Sequence, residues 1–461
     1  MKKVIIVLLA IVFCLAGVIY WGTGSADYTP YLAQPYYLKT KDRLDSLRLA
    51  MHNDTGLLQA GFGKSAITPV VNADADNVSK GEFKNIPLAG YGDRQGRPAQ
   101  GTHDSLWVKT IALNVGSKRL FLIGVDMLIV PPELADSVAT VMHEIRNIKR
   151  EQLVFSATHT HSSVGGWAKG YVGKEFAGAE NKHVQAWLVQ QFVRSILQAE
   201  NDLKPARTGN GRFAAADFTK NRVIGDRGRV NDEFTFMVIE QNGGRKAIMG
   251  SFSAHATTIG ASNMNFSAEY PGYWERKLEN SQADMAVFFA GPVGSHSPRG
   301  QGKSFERARY IGEALADSVI KYSAATKLND AVTLKSITLK IDLPDYHIRI
   351  SPQIHLSTYL SASLLPAWDK VHLQAIRLGN FVMLTTPSDF SGELAIDLQN
   401  MLYRAGYNAM VTSFNGAYVG YIIPGRYFYM DEYESKTMGW YGPTMGDYVV
   451  DMLQQMAKSV I

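Results

Sequence analysis

The chain has 461 residues, of which 46% are hydrophobic, and its 47 basic against 42 acidic side chains give a formal net charge of +5. This composition is typical of a globular protein and excludes a disordered or collagen-like chain, and so small a charge does not indicate a nucleic-acid-binding protein. The single cysteine, Cys14, excludes an internal disulfide and a cysteine-based zinc site, so a transition-metal site would need His, carboxylate, Tyr or backbone ligands.

An uncharged apolar run at residues 4–21 follows Lys2 and Lys3. Its length approaches the roughly 20 residues that span a bilayer, and the two lysines favour a cytoplasmic N-terminus. We therefore expect residues 1–26 to be a signal anchor that holds the rest of the protein outside the cytoplasm, in the periplasm or at the cell surface. The alternative is a cleaved signal peptide and a secreted protein, since Gly24-Ser25-Ala26 offers the small residues that a peptidase needs.

Predicted strands and helices alternate along the exported part. The lead-in segment 27–57 is polar and aromatic and holds one helix within 31–49. Strands are predicted, in chain order, as a pair within 107–130, at 153–157, as a hairpin in 234–255, at 285–290, at 332–343, as a hairpin in 371–384 and at 410–414. Helices are predicted from residue 131, at 182–199, near 273–279, at 305–324, near 393–404 and from Gly446. This alternation favours an α/β fold with mixed α+β layers, with one compact domain over 58–461.

The segment Thr158-His159-Thr160-His161 directly follows the predicted buried strand 153–157. Side chains at i and i+2 of an extended segment point to the same face, so His159 and His161 are expected to face one site. The end of a buried strand is where active sites commonly lie, and histidine is both the commonest metal ligand and the usual general base. The alternative is two histidines that are hydrogen-bonded in a polar loop, but we favour a functional pair.

Two further segments after predicted strands could add ligands to this site. His255 could supply a third nitrogen, although a lone histidine is more often part of the core. Asp389 and Glu393 could supply a carboxylate, or the residues around Asp389 could cap the next helix.

A Gly/Pro/Ser turn after strand 285–290 is expected to expose Ser295, His296 and Ser297. The turn lacks Gly-X-Ser-X-Gly, so it does not support a hydrolase nucleophile elbow. The stretch 418–441 is crowded with Tyr and Trp, which suit an apolar substrate with a polar head, a membrane-facing lip or simple core packing.

In this order, these segments resemble the catalytic domain of the neutral ceramidases, the neutral/alkaline non-lysosomal type. The resemblance runs from about Ala60 to the C-terminus. Residues 156–162 are most similar, to the family's Ser-Gly/Ala-Thr-His-Thr-His-Ser motif. The other matching segments are 87–92 with 101–103, Asn221-Arg222, 255–257, 294–298, 389–391, Tyr421-Ile422, Tyr433-Glu434 and 441–443.

The resemblance implies a zinc ion held by His159, His255, Asp389 and Tyr421, with one position open for water or substrate. A zinc-activated water would then be the nucleophile that attacks the amide carbonyl. This donor set agrees with the His/carboxylate/Tyr ligands to which the cysteine count restricts the chain.

The resemblance also implies that His161, Arg222, Ser297 and Tyr433 line the reacting amide. Tyr433 is the expected oxyanion stabiliser, supported by Arg222, and His161 is expected to move protons to the leaving amine. The role of Ser297 stays open, since a metal-bound nucleophile leaves a serine no obligatory task.

The chain departs from the family pattern at three places. The family's Glu is Asp389 here, one methylene shorter, so Glu393 is the alternative carboxylate ligand. Ser295 stands where the family has an acidic or Asn-type residue. The chain ends soon after 441–443, so we expect no immunoglobulin-like C-terminal domain.

The expected function is therefore a zinc-dependent amidohydrolase that cleaves ceramide or a related lipid amide at a membrane surface, with no nucleic-acid partner. The sequence does not address oligomeric partners. One alternative is a non-catalytic lipid- or glycan-binding exported protein with a degenerate ceramidase fold, motivated by Asp389 and the missing domain. A further alternative is a metal-independent serine hydrolase that uses Ser297.

Overall fold

The computed structural model of the protein describes residues 2–25, 27–51, 54–365 and 370–461. The expected segments 1–26, 27–57 and 58–461 each include residues outside this range, namely Met1 and Ala26, His52 and Asn53, and 366–369. Ala26 belongs to the small-residue segment considered above as a cleavage site, so that hypothesis lies partly outside the described residues.

Within the described residues, the α-helices are α1 Lys2–Gly22, α2 Pro35–Leu49, α3 Pro132–Arg146, α4 Gly170–Ala177, α5 Lys182–Asn201, α6 Glu269–Glu279, α7 Ser304–Ser323, α8 Thr358–Leu364, α9 Gly392–Arg404 and α10 Met445–Val460. The strands are β1 Thr23–Ser25, β2 Asp54–Leu57, β3 Gln59–Ala66, β4 Leu88–Ala89, β5 Gly101–Thr102, β6 Trp107–Val115, β7 Lys118–Val125, β8 Leu153–Ala157, β9 Ser163–Val164, β10 Lys204–Ala214, β11 Thr219–Asn221, β12 Glu233–Gln241, β13 Lys246–Phe252, β14 Asn265–Phe266, β15 Met285–Ala290, β16 His296–Pro298, β17 Ala331–Lys340, β18 Ile354–Leu356, β19 His372–Leu378, β20 Phe381–Thr385, β21 Asp389–Phe390, β22 Asn408–Thr412 and β23 Tyr421–Ile422.

Two large sheets form the centre of the molecule. The first has eight strands in the order β15-β13-β12-β10-β3-β6-β7-β8, and the second has five in the order β2-β17-β19-β20-β22. Neighbours are mostly antiparallel, but β7 and β8, β13 and β15, and β20 and β22 are parallel pairs. Apolar side chains of both sheets, such as Ile111, Leu122, Leu334 and Ile376, share one buried cluster between them.

Helices cover the outer faces of both sheets. Helices α3 and α5 pack on one half of the first sheet and α6 and α7 on the other half, while α2, α9 and α10 pack on the second sheet. The result is a four-layered α/β/β/α arrangement, in which each element buries one apolar face. The predicted α/β fold with mixed layers is confirmed.

The sequence did not predict β3 or β10, and β10 is the longer of the two. Its residues include a proline, two glycines and three basic side chains, a composition with low β propensity. The strand forms because it pairs with both β3 and β12. A Cβ at Gly209 would meet the Lys327 carbonyl oxygen at 2.5 Å, and one at Gly211 would meet the Phe236 ring at 2.5 Å. The glycines therefore mark close packing rather than a loop.

The first sheet curls so that its two ends approach each other. Strand β15, at one end of the strand order, packs against β7 and β8 at the other end. A Cβ on Gly124 of β7 would meet Val287 at 2.5 Å and Phe289 at 2.9 Å, so a glycine is needed where β15 crosses. This curl brings the carboxyl end of β13 close to that of β8.

The carboxyl ends of strands from both sheets meet at one edge of the molecule. The Ser413 amide after β22 donates to the Ala290 carbonyl at the end of β15 (3.0 Å), and the Gly294 amide donates to the Phe390 carbonyl of β21 (2.8 Å). The Ser156 hydroxyl of β8 donates to the Ser413 carbonyl (2.9 Å). These bonds fix the ends of β8, β15 and β22 and the loops that follow β15 and β20 against one another.

The N-terminal helix α1 is long and apolar enough to cross a membrane by length and composition over Val4–Gly22, and none of the side chains described there is buried. Strand β1 begins at the next residue, Thr23, and pairs with β18. Beyond it, α2 buries Tyr37 and Leu44 against the second sheet's helices, and β2 joins that sheet's edge.

Candidate metal centre and apolar pocket

His159 lies two residues beyond β8 in a backbone conformation that non-glycine residues rarely adopt, with φ of 61°. The prediction of an extended segment is therefore wrong at this residue. Its ring stacks on Phe414 (centroids 4.3 Å apart), itself at φ 64°, and its Nδ1 donates to the Leu128 carbonyl at 2.7 Å. Such strain persists where the surroundings hold it, and it is common at functional sites. His161 nevertheless faces the same space, because its Nε2 lies 3.3 Å from that of His159.

His255 enters this space from the loop after β13. Its Nδ1 lies 2.8 Å from the Val293 carbonyl oxygen and 3.1 Å from that of His296, so Nδ1 carries the proton and donates. Its Nε2 is thereby left with a lone pair that points toward His159 and Asp389. The imidazole nitrogens of His159, His161 and His255 lie within 4.8 Å of one another and could hold a metal ion.

Asp389 and Tyr421 are direct neighbours in the two-stranded parallel pair β21/β23. The Asp389 Oδ1 lies 3.3 Å from Nε2 of His159 and 3.1 Å from Nε2 of His255, and it accepts no hydrogen bond from any described residue. The other carboxylate oxygen accepts from the Tyr418 hydroxyl at 2.7 Å. The Tyr421 hydroxyl lies 3.0 Å from Nε2 of His255.

The donor atoms of this cluster fit a transition-metal ion. Carbonyl partners hold the Nδ1 protons of His159 and His255, so both Nε2 lone pairs converge on the ionised Asp389 Oδ1. Three electron-pair donors at these distances repel one another, and a metal cation between them would relieve that repulsion. Imidazole nitrogen and carboxylate oxygen are ligands that zinc takes, and the carbonyls and Tyr418 orient them as outer-shell partners do.

Burial sets the charge states of the ionisable groups around the cluster. Burial lowers the pKa of His255 to about 3 and that of His161 well below its ordinary range, so both rings are neutral at pH 7. Burial opposes ionisation of Asp389, but a proton shared with the adjacent His159 and His255 more than offsets it and lowers the pKa of the carboxyl, so Oδ1 is stable as a carboxylate only with positive charge beside it. Burial also raises the pKa of Tyr421 well above its ordinary value.

Arg222 reaches the cluster from the short strand pair β11/β16. Its Nη2 donates to the Tyr421 hydroxyl at 2.9 Å and lies 3.3 Å from Nε2 of His255, while Nε lies 2.6 Å from a Glu434 carboxylate oxygen. Burial opposes the charge, but Tyr421 and Glu434 raise the pKa of the guanidinium above its usual value. Tyr433, next to Glu434, packs edge-on against the Tyr421 ring with centroids 5.8 Å apart. Arg222 therefore brings a fixed positive charge beside the donor atoms.

Among the described residues, no hydrogen bond connects the Ser297 side chain to the cluster. Ser297 pairs with Lys220 in β16, and its buried hydroxyl has no partner among the described residues. The expectation that Ser295 and His296 are exposed is wrong, since both are buried. Ser295 accepts from the Gly392 amide (3.0 Å), and His296 Nε2 accepts from the Asn231 amide (2.8 Å). Ser295 thus ties the turn to the start of α9, and His296 ties it to the segment before β12.

Glu393, the alternative carboxylate, points away from the histidines. It accepts from the Asn221 amide at 2.7 Å, from the Tyr427 hydroxyl at 3.1 Å, and from Arg426. With its side chain only 1% exposed and all three partners in place, it has no contact with His159 or His255. Its contacts are those of a buried structural carboxylate.

The sequence did not predict three residues that hold these side chains in place. Besides Tyr418 and Glu434, Arg94 is almost fully buried (1% exposed) and donates to the carbonyls of His161 (2.5 Å) and Ala89 (3.2 Å). No pattern around Arg94 predicts this contact, although Arg94 closely follows the segment 87–92 that resembles the family. Its contacts fix the backbone of His161.

A largely apolar pocket opens directly onto the cluster. His159, His161, Asp389, Tyr421 and Tyr433 contribute its polar wall. The apolar lining includes Leu128, Ile129, Trp167, Val172, Phe176 and Trp440. An apolar pocket with a few convergent polar groups is the usual form of a small-molecule site, and this one suits a chain-bearing substrate whose polar group meets the histidines.

Comparison with known families finds a match over about half of the chain. The family model described as "Neutral/alkaline non-lysosomal ceramidase, N-terminal" matches residues 74–308. That range includes His159, His161, Arg222 and His255, and it ends before Asp389 and Tyr421.

Two curated relatives agree with this match. The chain is 23% identical over 280 residues to the neutral ceramidase of Pseudomonas aeruginosa, a match that covers 55% of this chain and 40% of the relative. It is 20% identical over 292 residues to the neutral ceramidase of Mycobacterium tuberculosis, covering 55% of this chain and 45% of the relative. The matched part thus spans less than half the length of either relative.

The fold has a solved counterpart. The crystal structure of neutral ceramidase from Pseudomonas aeruginosa superimposes with a TM-score of 0.72 at 18% identity, over 88% of this chain and 74% of that one. The superposition extends well beyond residues 74–308 and shows that most of this chain adopts that fold.

Proposed function

Because this chain belongs to the neutral/alkaline non-lysosomal ceramidase family, we propose that it is a zinc-dependent amidohydrolase that cleaves the N-acyl amide of ceramide or a related lipid amide to a fatty acid and a free amine. The observation that carries the proposal is the convergence of His159, His255 and Asp389 at an apolar pocket, with unshared electron pairs directed at one point.

His159, His255, Asp389 and Tyr421 would hold the zinc ion. When bound, zinc supplies hydroxide near neutral pH, because it lowers the pKa of water from about 15.7 to about 7. The distances among the imidazole and carboxylate donors support this assignment. Tyr421 would be the fourth ligand because its hydroxyl is 3.0 Å from Nε2 of His255.

Hydrolysis breaks the amide C–N bond, adds the hydroxyl of water to the acyl carbon and delivers a proton to the nitrogen. His161 would carry that proton: its ring is neutral, and its buried Nδ1 has no partner among the described residues. Tyr433 and Arg222 would stabilise the negative charge that develops on the carbonyl oxygen. We assign no step to Ser297.

The pocket and the N-terminus support a lipid substrate. The apolar lining would take an acyl or sphingoid chain, with its amide at the histidines. Helix α1 would anchor the protein through residues 4–21, with the domain 58–461 outside the cytoplasm. An anchored enzyme would then meet its substrate without extracting it far from the bilayer.

The test measures zinc and hydrolysis in the same preparations. Purified full-length protein in detergent is expected to hold about one zinc ion and to release fatty acid from N-acylsphingosine, with both properties lost in His159→Ala. His347→Ala is the matched control. His347 is also a buried histidine, but its ring contacts His355 and Phe428 and not the proposed zinc ligands. Hydrolysis that survives complete removal of zinc by a chelator would contradict the proposal, as would a zinc-loaded protein that cleaves no N-acyl amide.

A further inference from the structure

The short helix α8 has an inverted distribution of polar and apolar side chains. Its large apolar residues face outward, with Tyr359 84% exposed, Leu360 38% and Leu364 41%, while the polar Ser361 is buried. A surface helix in water shows the reverse pattern, with apolar residues toward the core. Such a cluster of exposed apolar side chains marks an interaction surface.

Helix α8 lies against the outer end of the helix that could cross a membrane. The strand β1 starts at Thr23, directly after α1 ends at Gly22, so no linker separates the two. β1 pairs with β18, and the Ser357 amide that precedes α8 donates to the Gly22 carbonyl at 2.9 Å. The Leu360 side chain lies so close that a Cβ on Gly22 would meet it at 3.6 Å. Neighbouring strands are about 4.8 Å apart, so β18 and α8 begin within a few ångströms of where α1 ends.

The same end of α1 carries two aromatic side chains suited to a membrane interface. Tyr20 and Trp21 are each 82% exposed, and Tyr and Trp concentrate where the headgroups meet the acyl chains. Over about 21 residues at 1.5 Å each, α1 is about 30 Å long, the thickness of the hydrocarbon core. Gly22 and everything paired to it would therefore lie at the outer interface.

The pocket borders this surface through two elements. Helix α4 packs beside α8. It directs Val172 and Phe176 inward as part of the pocket lining and leaves Tyr171 65% exposed. On the other side, Arg349, shortly before β18, bonds to the Met430 carbonyl in the segment that supplies Tyr433 to the pocket. Elements that carry exposed apolar side chains therefore connect the end of α1 to the elements that form the pocket.

We propose that Tyr359, Leu360 and Leu364 of α8, together with Tyr171 of α4, form a bilayer-docking surface that rests in the outer interface of the membrane that α1 crosses. The surface holds the pocket against the bilayer, so that a lipid amide passes into it from the membrane. The inference rests on the proposed function for its substrate, but the docking itself does not depend on catalysis.

Docking is tested first without reference to activity. Full-length protein carrying Cys14→Ala is labelled with an environment-sensitive fluorophore at Tyr359→Cys or Leu364→Cys and reconstituted in phosphatidylethanolamine/phosphatidylglycerol vesicles. Lipids with a quencher near the headgroup end of the acyl chain are expected to quench both positions. The control is Ile145→Cys, at the far end of α3 and 43% exposed, which is expected to stay unquenched. Equal quenching at all three positions, or none at 359 and 364, would overturn the docking surface.

The second measurement asks whether docking helps a lipid substrate to enter the pocket from the bilayer. The variant Tyr171→Ser/Tyr359→Ser/Leu364→Ser is expected to cleave ceramide in those vesicles about tenfold more slowly than the wild type, because it loses interfacial apolar area. Its cleavage of a water-soluble short-chain N-acyl amide should be unchanged. The control variant Leu49→Ser/Ile145→Ser, which replaces two other exposed apolar side chains, should cleave both substrates at the wild-type rate. An equal loss of activity on both substrates would contradict a role of the docking surface in delivering lipid to the pocket. If the wild type cleaves neither amide, the proposed function fails, while the quenching result still decides the docking.

Discussion

Replacing Asp389 with Asn tests the centre of the proposed site with little steric change. The substitution keeps the volume of a side chain that is only 1% exposed, and an amide oxygen can still accept from the Tyr418 hydroxyl now 2.7 Å away. What is lost is the negative charge 3.3 Å and 3.1 Å from the two Nε2 atoms. Glu393→Gln is the matched control, because it neutralises a second buried carboxylate only four residues away.

The expected loss of zinc affinity can be bounded from the contacts. Replacing groups that merely orient a metal ligand costs about 10–100-fold in affinity, so loss of a directly bound carboxylate should cost at least about 100-fold, or about 2.7 kcal/mol. Glu393 contacts Asn221, Tyr427 and Arg426 instead of the histidines. Glu393→Gln should therefore leave zinc affinity within about threefold of wild type and lower the free energy of unfolding by about 1–3 kcal/mol, since it disturbs a buried hydrogen-bonded group.

The assay is a zinc titration against a chelator of known affinity, with bound metal measured by elemental analysis and folding checked by circular dichroism. Asp389→Asn with wild-type zinc affinity would refute the assignment of this carboxylate as a ligand. Loss of zinc in a folded Glu393→Gln protein would instead indicate that Glu393 moves into the site when metal binds.

Three further substitutions test the surroundings of the site. Tyr418→Phe removes the hydroxyl that holds Asp389 and should weaken zinc binding by about tenfold; unchanged affinity in the same titration would show that the carboxylate needs no such support. In Gly90→Ala, the new Cβ would meet the His161 Cα at 2.5 Å at a φ of 134°, so turnover should fall by about 10–100-fold while zinc stays bound; an active variant would show that His161 need not hold its position. Burial raises the pKa of Glu269 from 4.5 to about 7, so the stability linked to its protonated form is present below about pH 4.5 and is lost as pH rises through 7. The free energy of unfolding of wild type relative to Glu269→Gln should therefore fall by about 3 kcal/mol from pH 4 to pH 8; chemical unfolding of both proteins at the two pH values measures this difference, and a constant difference would mean that Glu269 ionises as it does in water.

Local sequence patterns predicted most of the long helices and strands. They also predicted that His159 and His161 share a site. Apolar periodicity marked β8 and β15 at their observed ends and marked α5, α7 and α9 to within a few residues. Because His159 and His161 follow a buried strand by two to four residues, their shared location could be read from chain order alone. The apolar run that forms α1 could also be predicted from the sequence, because an apolar helix is recognised by its composition and does not depend on contacts with other parts of the chain.

The tertiary structure decided how distant residues join that pair. His255 follows β13 and His159 follows β8, near opposite ends of an eight-stranded order, and they meet only because the sheet curls until β15 packs on β7 and β8. Nothing local in a strand encodes that closure; it arises from accumulated twist and from small residues such as Gly124 at the crossing.

The choice between two carboxylates was also beyond the sequence. Asp389 and Glu393 both follow β20 closely, and chain order gives no preference between them. The pairing of β21 with β23 sets Asp389 beside Tyr421, whereas Glu393 lies in the first turn of α9 and meets Arg426 and Tyr427. The sequence alone therefore determined which kinds of donor the protein has and where each stands along the chain. Only the packing of the two sheets decided which of them share a site, because a metal centre requires side chains to converge to within ångströms, and that convergence depends on contacts between residues far apart in sequence.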